Sequence, residues 1–316
     1  MLSVLLALIA ALMVFWSLGI RSGVRAPVSF EISQGATVGG VAASLEKRGW
    51  VNSADTFKVL VRLHGGRVQA GLYDIPRGAS QWRIAKMFAN GHIASTVIVI
   101  PEGFTVRQIV SLLNENGFLT GDACPSACPK EGELFPDTYN VPKGVHRAAV
   151  VKLMSDKMQE IKRKWEISGR RLPRPLKSWD EVIILASLVE KETPKASEMP
   201  LVASVYLNRL RSNMRLQADP TVVYAITDRL GDMQGAPLLT VHLQIDHPFN
   251  TYKNHGLTPG PIANPGWAAI TAVLNPADTN YLFFVADGNG GHNFSNDYES
   301  HKANREIWRE IKSKKN

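Results

Sequence analysis

Cysteine is nearly absent from this chain of 316 residues, which holds only Cys124 and Cys128. That excludes a scaffold built on disulfides, and no further Cys or His pair stands nearby at the spacing of a structural zinc site. Four positions apart, the two thiols can pair only within a tight turn, and a disulfide is expected there in an oxidising compartment. The histidines His242, His247, His255, His292 and His301 form neither His-Glu-x-x-His nor another compact ligand set. No metal and no cofactor are therefore expected. Asp287-Gly-Asn-Gly-Gly-His292 lacks the Lys-Ser/Thr of a phosphate loop and reads as a flexible turn. The formal net charge is +8, yet no aromatic residues are interleaved with the basic ones as in a nucleic-acid groove. An anionic wall polymer or a lipid surface suits that charge better.

Charge is missing altogether from Leu2 to Ile20, a stretch long enough to cross a hydrocarbon layer of roughly 30 Å as a helix. Cleavage after Ala26 would leave Pro27 behind the cut, and no basic n-region precedes the apolar run, so residues 1–22 are expected to be a retained transmembrane anchor. Arg21 and Arg25 follow the segment, the reverse of the usual asymmetry for an outward C-terminus. A long C-terminal region translocates regardless, and the expectation is a single-pass protein of the cell (inner) membrane with its bulk outside the cytoplasm.

The length suits about two domains, and the pattern is α+β. A repeat follows the anchor: Ile32-Ser-Gln-Gly35-Ala-Thr37, Ile75-Pro-Arg-Gly78-Ala-Ser80 and Ile100-Pro-Glu-Gly103-Phe-Thr105. Each unit joins a strand end, a Gly turn, a Ser or Thr cap and an amphipathic helix ending near Gly49, Gly91 or Gly117. Thr105 and Gln108 have the spacing of a capping box. Such units resemble the LysM module, a small fold that binds N-acetylglucosamine polymers, although short capped helices also arise without that function. Residues 27–143 are assigned to this module and its connection, and residues 144–316 to a mainly helical domain. Its helices are expected over Ala148 to Trp165, Ser178 to Glu192, Ser197 to Arg211, Pro220 to Arg229, Pro265 to Leu274 and Asn296 to Lys312, with a strand at Tyr281 to Ala286. Asp219-Pro220 and Asn264-Pro265 each read as an N-cap followed by Pro at the first helical position. Residues 246–262, rich in turn formers, are too long for a mere connection and read as a binding loop.

One residue stands out in the second region. The run Val182-Ile-Ile-Leu-Ala-Ser-Leu-Val189 is followed by Glu190, which shares a helix face with Ala186 and Ile183. Ser178 caps the helix start, with Glu181 placed to reach back, and Pro194 ends it. A carboxyl on that face, in the last turn, loses solvation and meets the negative end of the helix dipole. Both effects keep its proton on, which suits a general acid; the competing reading is a Glu bent out to water.

Several motifs in one order carry a resemblance to a known family: Glu131-Gly-Glu-Leu-Phe-Pro-Asp-Thr-Tyr139, Ala186-Ser-Leu-Val-Glu-Lys-Glu-Thr193, Leu216-Gln-Ala-Asp-Pro-Thr-Val-Val-Tyr224, Asn250-Thr-Tyr252, Gly256-Leu-Thr-Pro-Gly-Pro-Ile-Ala-Asn-Pro-Gly266 and Asp287-Gly-Asn-Gly-Gly-His292. Over essentially its whole length the chain resembles the membrane-anchored endolytic murein transglycosylases, the YceG-like family. The resemblance implies an enzyme that cuts peptidoglycan glycan strands between N-acetylmuramic acid and N-acetylglucosamine, with Glu190 matching the catalytic Glu. It also implies a lysozyme-like catalytic region and peptidoglycan synthases (penicillin-binding proteins) as partners. The Cys124–Cys128 loop ahead of Glu131 departs from the family pattern.

A lytic transglycosylase needs one carboxyl, whereas most glycosidases need two. Glu192 lies about 200° round the helix from Glu190 and is expected to face away, and Asp219 is expected to cap its helix. Neither suits a muramidase that activates water. Candidates for holding sugar are Gln217, Asn250, Tyr252, Asn208 and Tyr224. Gln217 resembles a sugar-contacting Gln of other lytic transglycosylases or is an exposed loop amide. Asn250 and Tyr252 offer polar groups and a stacking face or are turn residues. Asn208 is only partly opposite its helix's apolar stripe, and Tyr224, like Tyr139, reads first as core. The rivals to the enzyme are a non-catalytic anchored scaffold that binds peptidoglycan and a hydrolytic muramidase.

Overall fold

The computed structural model describes residues 23–315, so the anchor expected over residues 1–22 lies outside the described residues. Among the described residues no helix is long and apolar enough to cross a membrane. The architecture is α+β, with helices and small two-stranded sheets, in two units. One holds the described residues up to Ile98 with Phe118–Thr120 and Asn140–Val145; the other holds Val99–Gly117, Gly121–Tyr139 and everything from His146 onward.

In the first unit β1 (Val28–Ile32), α1 (Val38–Lys47), α2 (Ala54–Leu63), β2 (Gly71–Ile75) and α3 (Gln81–Asn90) follow in order. β1 and β2 pair antiparallel, Phe30 opposite Tyr73 and Ile32 opposite Gly71. Alternation along both strands turns Phe30, Ile32, Tyr73 and Ile75 inward onto Leu45, Phe57 and Phe88 of the helices. The Thr37 and Ser80 hydroxyls accept from the amides of Gly40 and Arg83, as their place in the repeat predicts. Helix α2 is not part of that repeat. It has its own cap, Ser53, and an apolar face of Phe57, Leu60 and Val61. Strands β3 (Ser95–Val99) and β4 (Thr138–Pro142) pair with each other.

The second unit contains α4 (Val106–Glu115), α5 (Arg147–Ile167), α6 (Trp179–Glu192), α7 (Met199–Arg211), α8 (Asp219–Ile226), α9 (Trp267–Leu274), the hairpin of β5 (Phe283–Ala286) and β6 (His292–Ser295), and α10 (Tyr298–Lys315). The third copy of the repeat thus belongs here: Thr105 caps α4 in a full capping box with Gln108. Helix α6 is buried on nearly every side, its Val182, Leu185, Leu188 and Val189 packing with Val202 and Tyr206 of α7 and Ile270 and Val273 of α9. Burying each such aliphatic side chain contributes about 1.5–3 kcal/mol. Four of them outweigh the few kcal/mol of taking one neutral carboxyl partly out of water at the helix end.

The ends of α6 follow the sequence with one adjustment. Ser178 Oγ accepts from the Glu181 amide at 3.2 Å, but Glu181 Oε2 reaches one residue further back, to the Lys177 amide. Two other expected caps are corrected. Ala218, not Asp219, precedes α8, and its amide donates to the Thr251 hydroxyl at 2.9 Å, leaving Asp219 as a first-turn residue. Gly266, not Asn264, stands ahead of α9, because the Asn264 side chain is taken by other backbone groups. Helix α8 ends at Ile226, where Thr227 Oγ1 bonds the Val223 carbonyl and Asp228 and Arg229 turn to positive φ. Cys124 and Cys128 are joined in a disulfide with their Cα atoms 4.9 Å apart. Residues 287–291 form the turn of the β5–β6 hairpin, Asp287 Oδ1 accepting from the amides of Asn289 and Gly291.

Candidate active site

Glu190 lies in the last turn of α6, half-buried, and its Oε2 accepts a hydrogen bond of 2.8 Å from the Gly266 amide. Loop 101–105 closes over it. A Cβ on Gly103 would sit 3.3 Å from Glu190 Cγ and 3.4 Å from Lys191 Cδ, and at φ +73° the position favours glycine on backbone grounds as well. Lys191 Nζ reaches the Gly103 carbonyl at 3.4 Å. Burial holds the Glu190 carboxyl above the ordinary carboxylate range, opposed by the Gly266 amide, reinforced by the charge of Glu102 and opposed again by Lys191.

Glu102 is the residue that sequence reasoning does not single out. Its carboxylate lies directly against Gly266, since a Cβ there would fall 1.8 Å from Glu102 Oε1. The only signal in the chain is that the third repeat reads Pro-Glu-Gly where the second reads Pro-Arg-Gly.

Asn264 fixes the arrangement. Fully buried, it accepts at Oδ1 from the amides of Gly132 (2.9 Å) and Leu134 (3.0 Å) and donates from Nδ2 to the Phe104 carbonyl and to Glu131 Oε2. Its amide group thereby makes all four bonds open to it. Its own backbone pairs with Gly103 and Phe104 at 3.0 and 2.9 Å. Three segments, 102–106, 131–134 and 264–266, are thus tied at one side chain, two residues from the amide that holds Glu190. Glu131 completes the knot by accepting from the Val106 amide at the start of α4. Burial pushes its carboxyl up to about 7, against the Val106 amide, the charge of Arg229 and the Asn264 amide.

Glu192 points into different company. Tyr206 donates to its Oε1 at 2.6 Å, and burial raises its carboxyl to about 7, with Tyr206 opposing, Asp219 adding and Arg209 opposing. Tyr252 donates to Asp219 Oδ1 at 2.5 Å, and burial followed by that carboxylate pushes the phenol up. None of the groups acting on Glu192 acts on Glu190.

The other candidates fall in three places. Asn208 Nδ2 is bonded to the carbonyls of Thr279 and Tyr281. Asn250 is fully buried, its Nδ2 on the carbonyls of Leu243 and Ile245 and its Oδ1 on the Tyr252 amide, so it shapes loop 246–262. Gln217 is exposed at φ +48°, its amide bonded to the Thr251 carbonyl. Tyr224 packs on Phe249 and borders a cleft of about 1140 Å³ that Glu131, Ile183, Ile184 and Pro261 also line. Burial, then Glu131, lifts the Tyr224 phenol to about 12. Glu190 is not part of the cleft wall; Ile183 stands seven residues earlier on α6, roughly 10 Å along the axis.

Residues 30–307 match the model of the YceG-like family. The chain is 29% identical over 324 residues to the endolytic murein transglycosylase of Bacillus subtilis, across 92% of this chain and 87% of that protein. Its identity to the endolytic murein transglycosylase of Streptococcus pneumoniae is 26%, across 92% of this chain but only 59% of that relative's length. A crystal structure of a YceG-like protein from Listeria monocytogenes, at 2.6 Å resolution, matches with a TM-score of 0.55 and 27% identity over 88% of this chain and 98% of that one.

Proposed function

Because the chain belongs to the YceG-like family, we propose that it is an endolytic peptidoglycan lytic transglycosylase in which Glu190 serves first as acid and then as base. Relatives named endolytic murein transglycosylase support the reaction class. The observation that carries the assignment of Glu190 is its setting: a half-buried carboxyl whose proton is favoured by burial, with one oxygen fixed by the Gly266 amide. Such a group gives its proton to the glycosidic oxygen between N-acetylmuramic acid and N-acetylglucosamine as the bond to the muramyl C1 breaks. The muramyl 6-hydroxyl oxygen then bonds to C1 and its proton returns to Glu190. No water is consumed, Glu190 ends as it began, and the new end is a 1,6-anhydro ring.

The cleft alongside α6 is the proposed path of the glycan strand. Of the sugar-holding candidates, Tyr224 borders that cleft, Gln217 and Tyr252 lie outside its wall with surface exposed, and Asn208 and Asn250 act through the loops they hold. The β1–α1–α2–β2 order supports a LysM-like reading of the first unit. Residues 1–22 are proposed as the anchor that keeps the catalytic unit outside the cytoplasm at the membrane, beside wall synthases.

A hydrolytic muramidase is the reading that Glu102 favours, because a second carboxylate stands near the first. End-group analysis separates the two. Purified peptidoglycan digested by the chain is expected to yield fragments with non-reducible muramyl ends, one water lighter than hydrolysis products, by mass spectrometry with and without borohydride. Reducible ends would establish hydrolysis, and binding without soluble fragments would establish a scaffold.

A further inference from the structure

We propose that Glu102 is a second functional carboxylate of the Glu190 site, a positioning residue whose negative charge keeps the proton on Glu190 between turnovers. This rests on the proposed role of Glu190 as the acid. Its backbone is held on both sides: the Ile100 amide donates to the Asp137 carbonyl at 3.0 Å, and the Gly103 amide to the Asn264 carbonyl at 3.0 Å. The capping box of Thr105 and Gln108 then anchors the same loop to α4. The loop therefore has little freedom to carry Glu102 away. Its side chain is exposed, and among the described residues no hydrogen bond or ion pair engages its carboxylate, so its charge stays available.

Both carboxyl groups meet at Gly266: Glu190 accepts its N–H, and Glu102 lies over its Cα. Two like charges so placed disfavour simultaneous ionisation, and the half-buried group keeps the proton because the exposed one is better solvated. The charged neighbours of Glu190 are few. Loop 101–105 brings Glu102, α6 itself brings Lys191, and residues 259–266 carry no charge at all. Removing Glu102 would leave burial alone to favour the proton, against Lys191 and the Gly266 amide, which both favour the anion. A side chain at residue 266 would displace the Glu102 carboxylate from this spot.

The sign is definite. Activity requires protonated Glu190, so it falls as pH rises through the ionisation of that group. Without the Glu102 charge the fall comes at lower pH. The test compares the pH profiles of muropeptide release by the full chain, its Glu102→Gln and Glu102→Asp variants, and Glu190→Gln, each checked by thermal melting. Glu102→Gln is expected to match the parent on the acid side and to fall about threefold below it on the alkaline limb, a modest factor because solvent screens an exposed charge. Glu102→Asp should restore much of the limb, and added salt should shrink the difference. Superimposable alkaline limbs with an inactive Glu190→Gln would overturn this inference alone, as would a loss in Glu102→Gln equal at every pH. An active Glu190→Gln would overturn the assignment of the acid itself.

Discussion

Glu190 and Glu192 stand two residues apart on one helix, both with raised carboxyls, and their surroundings differ in kind. Glu190 has a backbone amide on one oxygen, a second carboxylate nearby and part of its surface open. Glu192, half-buried as well, accepts from the Tyr206 hydroxyl, with Arg209, Asp219 and Tyr252 around it. A raised pKa therefore does not by itself mark the acid. What distinguishes the two is the partner: a backbone amide that a substrate does not displace orients Glu190, whereas Glu192 is already paired with the side chain of Tyr206. Glu192 reads instead as an internal strut joining α6 to α7.

The sharpest break of this contrast is in activity. Glu190→Gln should abolish fragment release, by about 10²–10⁴-fold as for other acid–base residues, and leave melting unchanged. Glu192→Gln should change release by less than about threefold; the reverse ranking would exchange the two roles.

Next in size is the support on the Glu190 side. Asn264→Ala strips bonds from the Gly132 and Leu134 amides and from Glu131 in a buried setting. At about 1–3 kcal/mol for each group left unsatisfied, it should lower stability by at least about 3 kcal/mol. Chemical denaturation measures this directly, and a loss below about 1 kcal/mol would show that water replaces the side chain.

The Glu192 side should show itself in stability against pH. Its carboxyl titrates near 7 in the folded chain and near the ordinary 4.5 when unfolded. Between those values the folded state holds a proton that the unfolded state has lost, so stability falls as pH rises from about 4.5 to about 7, by about 3 kcal/mol in total. Glu131, which also titrates near 7, adds a slope of the same sign. Urea titrations at pH 5 and pH 8 should show the parent weaker at pH 8 and Glu192→Gln with a flatter dependence. An unchanged slope would mean that Glu192 is better solvated than its packing implies. The smallest effect is expected of Tyr206→Phe, which removes one hydrogen bond: about 1–2 kcal/mol at pH 8, where Glu192 is ionised, and less at pH 5.

Much of the helical unit is legible in the chain. Apolar spacing together with Ser178 and Pro194 places α6 within a residue of its observed bounds, because a helix buried on nearly all sides announces itself by composition and its ends by local chemistry. Helix α2 is less legible because it falls outside the repeat pattern, though Ser53 and its apolar face are present. Asp219 and Asn264 show the limit of local reasoning. Both sit before proline in a capping pattern, yet Thr251 supplies the partner near α8, and the amides of Gly132 and Leu134, more than 120 residues away, claim the Asn264 side chain.

The sequence by itself determined where most of the helices of the second unit run and that Glu190 ends an apolar one, since each of these depends on residues within about a turn of one another. Only the tertiary structure decided which groups surround that carboxyl. Gly266 and Glu102 come from 76 and 88 residues away, and Glu192, two residues along, receives an entirely different set. Hydrogen bonds and Coulomb interactions act through space at a few ångströms, so the partners of a charge follow from how segments pack rather than from their order along the chain.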